Sequence, residues 1–483
     1  MLAYLLWASR GWPLIHDAPL MHYIAWLIDQ GGVPYRDAFD MNLPGVYLLH
    51  MAVLRVGGAG DVAWRLFDLG WLAVTCGVLA VYCRRIGEGW GPAAAALLFA
   101  VYHLSGGAWH AGQRDYLLCL FLLLGAWGVA RGTEQPGPGA FAWGGLALGA
   151  AMTIKPHAAL YWIVCAAVAA RDRSRAVSPW RAAGLVLAAG LVVPAAVFGW
   201  LAWRGGLRPF LDLFGGYVVP LYSHVGRVSP WPAIGQHLYG RRLIALFGLL
   251  VMLALLAPMP REPAAKGLAL GGVLYGLVHF VAQGKGWEYQ LYPLAAFCCA
   301  LAPAAVVSAR RARWSRLLDL FGARRPLGLA AWALLVTVLG TKAVKMSATD
   351  GITEKADRVA AITRDLQPLA PLGATVQVMD TTAGGIHALL RLHLRQPTRF
   401  IYDFPFFHDV GDPRTEALRA ELIDGLLAGR PAAIVVLEES WPDPDRGYGR
   451  LETFPRLQEY LERAYEPPLE GPGYRIYAKR SDS

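Results

Sequence analysis

The chain has 483 residues, of which 55% are hydrophobic and only 17% are charged, with a formal net charge of +10. A soluble domain carries about 25% charged residues, so this composition excludes an ordinary soluble protein. The basic residues lie between apolar runs rather than on one soluble face, which argues against a nucleic-acid partner. We therefore expect an integral membrane protein.

The apolar runs predict a helical protein that crosses the membrane many times. A spanning helix needs about 20 mostly apolar residues, and fewer where it packs inside a bundle. Residues 1–9 form a partial span without a cleavage-site pattern, which favours a truncated first helix over a signal peptide. Counting it, we predict about eleven transmembrane helices. The other ten lie near 61–83, 89–105, 113–130, 140–154, 156–170, 181–203, 242–259, 267–283, 290–308 and 327–346.

Short arginine-rich loops predict the orientation. Arg84 and Arg85, the arginines in 171–175 and those in 310–325 fall on one side of the membrane by span parity. Loops dense in Lys and Arg stay in the cytoplasm. The density in short loops carries this prediction, because the summed cations on the two sides are nearly equal. The C-terminal segment is then extracytoplasmic, in a protein of the bacterial inner (plasma) membrane.

From residue 350 the sequence changes character, because 21 of the 35 acidic residues lie in 350–483. An amphipathic helix is predicted over 354–369. Alternating helices and strands then predict a small soluble α/β domain with a mostly parallel sheet, suited to docking or to acting as a lid. The predicted domains are 1–349 (transmembrane) and 350–483 (extracytoplasmic). The helices are expected at 383–394, 413–429 and 453–464, and the strands at 374–379, 399–402, 434–437 and 474–477.

The segment of about 10–58 is predicted to be the first external loop. It carries four carboxylates interleaved with aromatic and apolar residues, and it ends in an apolar stretch (46–54) that is too short to span. This mixture favours helices lying along the membrane interface over a solvated loop. The carboxylates are Asp17, Asp29, Asp37 and Asp40.

Ionisable groups also stand beside three predicted spans, where such groups are costly and often functional. Asp115 follows Arg114 at the start of one span, although a helix N-terminus alone favours a carboxylate there. Lys155 lies with Pro156 and His157 in a break between two short spans; the histidine is more often a packing residue.

The third place is a glycine-rich turn around Lys285, which is followed by Tyr289 and Tyr292. A lysine that snorkels in an aromatic belt is the structural alternative. By parity all of these groups face the outer side of the membrane. A carboxylate can act as a general base and lysines can neutralise a phosphate leaving group, which is what sugar transfer from a lipid phosphate requires.

At these residues the chain resembles the membrane-embedded glycosyltransferases of the GT-C fold. More narrowly, it is similar to the protein O-mannosyltransferase and aminoarabinose-transferase-like group (glycosyltransferase family 39-like). The family has an acid in the first external loop, a Pro-Tyr-x-Asp element with Pro-Gly, an acid at the outer start of a span, a Thr-Lys-Pro turn and a late Lys-x-x-x-Tyr-x-x-Pro element. Their counterparts here are Asp17, Pro34-Tyr35-Arg36-Asp37 with Pro44-Gly45, Asp115, Thr153-Ile154-Lys155-Pro156, and Lys285, Tyr289, Tyr292 and Pro293.

The resemblance implies an inverting hexosyl- or pentosyltransferase with a polyprenyl-phosphate sugar donor and an extracytoplasmic lipid, glycan or protein acceptor. It implies that Asp17 is the catalytic base and that Asp115 helps to organise the acceptor or the base. The donor phosphate and lipid would be held by Lys155, Lys285, Tyr289 and Tyr292.

Three more candidates, Asp37, Asp40 and Arg114, would contact the acceptor or serve the structure. Many relatives carry Asp-Glu in the first loop, whereas His16-Asp17 is followed here by an alanine. The missing Glu removes an expected metal ligand, so a divalent metal stays an open question, with His16 and Asp17 as weak ligand candidates.

Two other functions stay open. A transporter or flippase for polyprenyl-linked sugars would need the same cationic site for a lipid phosphate. A non-catalytic component of cell-envelope glycan assembly would leave the chemistry to a partner. Only an enzyme needs a carboxylate poised against the anomeric carbon of the sugar, so the long carboxylate-bearing first loop favours the enzyme.

Overall fold

The computed structural model describes residues 1–134, 137–171, 177–240, 243–257, 263–306, 324–347, 350–371 and 373–480. Most of the predicted basic stretch 310–325, and the arginines at 173 and 175, lie outside these residues. The chain divides into two compact units. The helical unit comprises Met1–Gly11, Arg65–Val197 and Arg227–Ala348, and the mixed unit comprises Trp12–Trp64, Phe198–Gly226 and Thr349–Ser483.

The described secondary structure is mostly helical. The α-helices are α1 Leu2–Ala8, α2 Asp17–Asp29, α3 Pro44–Gly57, α4 Asp61–Cys83, α5 Gly91–Ser105, α6 Arg114–Glu134, α7 Pro138–Ile154, α8 Ala158–Ala169, α9 Pro179–Trp203, α10 Leu207–Leu213, α11 Pro230–Gly235, α12 Leu243–Leu255, α13 Pro263–Gln283, α14 Tyr292–Val306, α15 Arg324–Ser347, α16 Asp350–Leu366, α17 Gly385–Leu392, α18 Pro413–Gly429 and α19 Pro455–Ala464. The strands are β1 Val376–Met379, β2 Ala433–Leu437, β3 Leu469–Gly471 and β4 Tyr474–Ala478.

Each of the ten longer predicted spans coincides with one helix, because a run of apolar residues is stable in lipid only when its backbone is hydrogen-bonded internally. Among the described residues six helices are long and apolar enough to cross a membrane, or seven if α11 and α12 belong to one broken span. Helices α5, α7 and α8 are apolar but shorter. The chain is thus a multi-pass membrane protein, and the number of eleven spans stays a prediction.

Helices α6 and α7 form a hairpin whose backbones approach closely. A Cβ atom on Gly128 would lie 2.7 Å from the Cα of Gly144, so a side chain at this crossing would push the helices apart. Small residues at such crossings let membrane helices pack tightly. Helix α7 ends before Lys155, whose backbone is extended (φ −139°, ψ 121°), because the following Pro156 disfavours a helical conformation there. The hairpin therefore brings the start of α6 and the end of α7 to one level.

The sheet of the mixed unit has the strand order β1-β2-β4-β3. Strands β1 and β2 pair in parallel, whereas β4 pairs antiparallel with both β2 and β3. The prediction of a mostly parallel sheet is therefore wrong. The reason is a hairpin: β3 and β4 are joined by Pro472 and Gly473, and the positive φ of Gly473 (77°) suits a tight turn.

The predicted strand at 399–402 is also absent from the described sheet. The backbone of Phe400 forms only an isolated parallel bridge, with Phe39 of the first-loop segment. A single bridge with a distant segment is too short to make a strand. The other predicted tail elements are present with shifted ends, and α18 spans the predicted 413–429.

The first-loop segment folds together with the tail in the mixed unit. Helix α2 packs on α17, and the hydroxyl of Tyr23 donates to the carbonyl of Leu394 at 3.0 Å. Tyr217, in a π-helical turn after α10, lies 2.8 Å from Nε2 of His408. The predicted division at residues 349 and 350 stays a prediction, and the compact unit that holds the tail also takes in 12–64 and 198–226.

Candidate active site

The first polar cluster lies in the helical unit around Asp115, a fully buried carboxylate in the first turn of α6. The ammonium of Lys155 lies 3.2 Å from its Oδ2 atom. Nε2 of His279 lies 2.6 Å from Oδ1, and the side-chain amide of Gln283 donates to the same oxygen at 3.0 Å. The structure thus joins two predicted site residues, Asp115 and Lys155, in one buried ion pair.

His279 and Gln283 were not predicted from the sequence. They lie four residues apart at the end of α13, so they face the same side of the helix. Polar residues at this spacing in an otherwise apolar span are the signal that could have found them. Gln283 also accepts from the Lys155 ammonium at 2.6 Å, and this bond ties the Asp115 cluster to the turn that follows α13.

That turn forms one wall of a cavity of about 570 Å³ within the helical unit. The cavity is lined by basic groups together with indole and aliphatic side chains, so it offers both a cationic and an apolar surface. Glu288 and Lys342 form an ion pair on its wall. The lining residues used below are His110, Lys285, Glu288, Tyr289 and Lys342.

Lys285 is 8% exposed. Burial, and secondarily the positive charge of Arg227, lowers the pKa of Lys285 to about 8. The turn that carries it is fixed by His237, whose Nε2 lies 2.9 Å from the carbonyl oxygen of Gly286. A buried ammonium with a lowered pKa gains stability when an anion enters beside it.

Tyr289 and Tyr292 occupy different environments. Tyr289 is a buried residue of the short 3₁₀ segment Glu288–Leu291 and lines the cavity. Tyr292 begins α14 and is fully buried. Its hydroxyl lies 2.8 Å from Nδ1 of His103 and 3.1 Å from Nδ1 of His110. These two histidines were also missed, because a lone histidine in an apolar helix is usually only a packing residue.

The mixed unit contains Asp17, the first residue of α2. It follows His16, which adopts a positive φ of 58° that is uncommon for a residue other than glycine. Nδ1 of His16 lies 3.4 Å from the ammonium of Lys355. Burial, followed by the charge of Lys355, holds the pKa of His16 well below its usual value. Asp17 is one of the carboxylates whose charge acts on Lys355.

The other two first-loop carboxylates have local partners. Asp37 forms an ion pair with Arg36 at 2.7 Å and accepts from the backbone N–H of Val33 at 2.7 Å. Asp40 is fully buried, accepts from the side-chain amide of Asn42 at 2.9 Å, and is hydrogen-bonded to the hydroxyl of Tyr47. These contacts favour the structural alternative for Asp37 and Asp40.

A metal site does not emerge. Among the residues that the structure describes, no three His, Cys, Asp or Glu side chains come together in a way that could hold a metal ion. The described side chains near His16 and Asp17 therefore do not fit a metal, and no step below is derived through one.

Comparison with known proteins identifies the fold. Residues 42–200 match the family model described as dolichyl-phosphate-mannose-protein mannosyltransferase. Among solved structures, ArnT from Cupriavidus metallidurans bound to undecaprenyl phosphate is similar with a TM-score of 0.64 and 15% identity, over 99% of this chain and 96% of that chain. No curated protein sequence matches significantly.

Two further solved structures have the same architecture. The Archaeoglobus fulgidus oligosaccharyltransferase tethered to an acceptor peptide gives a TM-score of 0.54 at 11% identity, over 99% of this chain and 74% of that chain. Arabinofuranosyltransferase AftD from Mycobacteria gives 0.51 at 14% identity, over 99% and 41%. The chain is a multi-pass membrane protein with the GT-C fold. The predicted resemblance to the GT-C glycosyltransferases is thereby confirmed in the fold.

Proposed function

We propose that this protein is a membrane glycosyltransferase. It transfers a hexosyl or pentosyl group from a polyprenyl-phosphate donor to an extracytoplasmic lipid, glycan or protein acceptor, with inversion at the anomeric carbon. It acts in the bacterial inner membrane, with residues 350–483 on the extracytoplasmic side.

The observation that carries this proposal is the cavity in the helical unit. Its wall combines the ammonium of Lys285 with the indole of Trp109 and the side chain of Leu243. A polyprenyl phosphate has the complementary chemistry, a phosphate head on an apolar chain. Because Lys342 is paired with Glu288, Lys285 is the cation that we assign to the donor phosphate, and Tyr289 lies beside it on the same wall.

The reaction follows from these assignments. The hydroxyl oxygen of the acceptor attacks the anomeric carbon, and the bond from this carbon to the phosphate oxygen breaks. Asp17 accepts the hydroxyl proton as the general base. The polyprenyl phosphate leaves with the bonding electron pair, and Lys285 stabilises its added negative charge. Asp115 acts indirectly in this scheme, since its ion pair with Lys155 positions the turn through Gln283.

A deletion strain tests the proposed function. We expect its cell-envelope glycans to lack one hexose or pentose residue by mass spectrometry, and we expect the wild-type gene to restore it. The Asp17→Asn gene should not restore it, because Asn cannot accept the proton. Unchanged glycans in the deletion strain would contradict the function, and restoration by Asp17→Asn would favour a transporter instead.

The donor site predicts a pH-dependent affinity. Because the pKa of Lys285 is lowered to about 8, the ammonium loses its proton as the pH rises from 7 to 9.5. A phosphate monoester is already a dianion above about pH 7, so the affinity for undecaprenyl phosphate should fall over this range. Titration of the detergent-solubilised protein with this lipid at several pH values measures the effect.

Two variants serve as controls for this titration. Lys285→Arg should bind with little change between pH 7 and 9.5, since a guanidinium stays charged there. Lys285→Ala should lose about tenfold or more in affinity at pH 7, because a charge-assisted hydrogen bond contributes about 1.5–3 kcal/mol. A wild-type affinity that is flat up to pH 9.5 would remove Lys285 from the phosphate site.

A further inference from the structure

A buried polar network lies next to the cavity within the helical unit. Its base is an ion pair on α4 between Arg65 and Asp68. Both side chains are buried. The guanidinium of Arg65 also donates to the carbonyl and hydroxyl oxygens of Ser9, at 2.9 and 2.6 Å. The backbone N–H of Gly112 donates to Oδ1 of Asp68 at 2.8 Å, so donors hold both oxygens of this carboxylate.

The network continues through three aromatic side chains. Nε2 of His103 lies 3.0 Å from Oδ2 of Asp68, and its Nδ1 lies 2.8 Å from the hydroxyl of Tyr292. The same hydroxyl lies 3.1 Å from Nδ1 of His110. His110 in turn lines the cavity. One line of hydrogen bonds therefore connects the ion pair on α4 with the cavity wall.

The hydrogen-bonding groups fix where the protons lie. A carboxylate only accepts, so Nε2 of His103 carries a proton and donates it to Asp68. The unprotonated Nδ1 of neutral His103 then accepts from the hydroxyl of Tyr292. The oxygen of Tyr292 in turn accepts from Nδ1 of His110. Neutral His110 therefore keeps its proton on Nδ1, and its Nε2 holds a lone pair that can take up another proton.

The surroundings of His110 restrict its ring. A Cβ atom built on Gly106 would overlap the ring, so glycine is needed there to seat it. The ring of Tyr102 packs on it with centroids 6.2 Å apart. The charged and titratable groups on the elements around His110 and its cavity are Tyr102, His103, Lys285, Glu288, Tyr289, Tyr292 and Lys342.

We propose that His110 contacts the phosphate group of the lipid donor and takes up one proton at Nε2 when the donor binds. Asp68, His103 and Tyr292 are positioning residues that leave this nitrogen as the acceptor. This inference rests on the proposed function and adds a residue to its donor site.

The proton balance of this step is simple. The proton comes from the buffer and ends on Nε2 of His110, which becomes an imidazolium with two N–H donors. Nδ1–H still donates to Tyr292, and Nε2–H donates to a phosphate oxygen. The rest of the network keeps its hydrogen bonds. Donor binding therefore consumes up to about one proton per site.

Calorimetry in buffers of different ionisation enthalpy measures this uptake. The probe is undecaprenyl methyl phosphate, a phosphodiester like the donor, which does not titrate near neutral pH. At pH 6.5 Lys285 is already protonated, because its pKa is about 8. We expect the wild type to take up a measurable fraction of a proton. His110→Gln should take up none and bind about tenfold or more weakly.

Variants of the network separate positioning from folding. Tyr292→Phe removes the acceptor for Nδ1–H of His110 and should reduce the uptake, whereas Tyr289→Phe, a matched change on the cavity wall, should not. Should Tyr292→Phe melt at a lower temperature than the wild type, Gly106→Ala tests the same point by displacing the His110 ring. Equal proton uptake by the wild type and His110→Gln would overturn this proposal and leave the proposed function intact. Failure of the wild type to bind the phosphodiester would overturn the cavity assignment together with this proposal.

Discussion

Replacing Asp17 with Asn should lower the transfer rate by about 10²–10⁴-fold, the usual cost of losing a general base. Asn is nearly isosteric with Asp, so the start of α2 should keep its fold. It cannot, however, accept the proton of the acceptor hydroxyl. Donor binding should stay unchanged, because the donor phosphate is assigned to Lys285. Turnover and donor affinity, measured on the same purified protein, check both expectations.

The matched control is Asp37→Asn, which removes a carboxylate from the same first-loop segment. Asp37 is paired locally with Arg36, so this variant should keep most of its turnover. Asp40 is a poorer control, since its buried hydrogen bonds make misfolding the expected outcome. Turnover above about a tenth of the wild-type rate in Asp17→Asn would show that the base is another residue. Asp115 would then be the next candidate.

The second large effect is expected on stability. Asp115→Asn leaves the ammonium of Lys155 buried beside a neutral amide, and breaking a buried ion pair in this way typically costs about 3–5 kcal/mol. Thermal unfolding of the detergent-solubilised protein should therefore shift to a clearly lower temperature. Lys155→Met should cost less, because His279 and Gln283 still surround the carboxylate.

The double variant Asp115→Asn/Lys155→Met tests whether the pair is coupled. It removes both charges, so we expect it to be more stable than Asp115→Asn alone. Strictly additive losses in the two single variants would mean that Lys155 and Asp115 do not stabilise one another in the folded protein. Transfer should stay low in every variant that disturbs the turn after Gln283, because the turn carries Lys285.

The membrane helices were predictable because lipid imposes a rule that one run of residues satisfies by itself. Asp115 and Lys155 could be singled out, since charge at the end of a span is unusual. Their pairing followed only from the α6–α7 hairpin. His103, His279 and Asp68 were missed because each stands inside a helix with an apolar surround. Their partners come from other helices, and no spacing along the chain records such contacts.

The tail shows a different limit. The periodicity of its helices was informative, whereas strand direction depends on how segments meet in space. The short turn at Pro472 and Gly473 was the available sign of a hairpin, and it reverses the chain into β4. The segment 399–402 has the composition of a strand, but it pairs with the first-loop segment instead of joining the sheet.

The union of the first-loop segment with the tail has a consequence for how this protein can vary. Because α2 packs on α17 and Phe39 bridges Phe400, the tail is no detachable module, although the chain reaches it last. A recombinant chimera that exchanges only residues after 350 would leave α2 against a foreign surface, and Asp17 begins that helix. Inheritance of the tail should therefore be linked to inheritance of the loop: two stretches more than 300 residues apart are expected to coevolve as one piece.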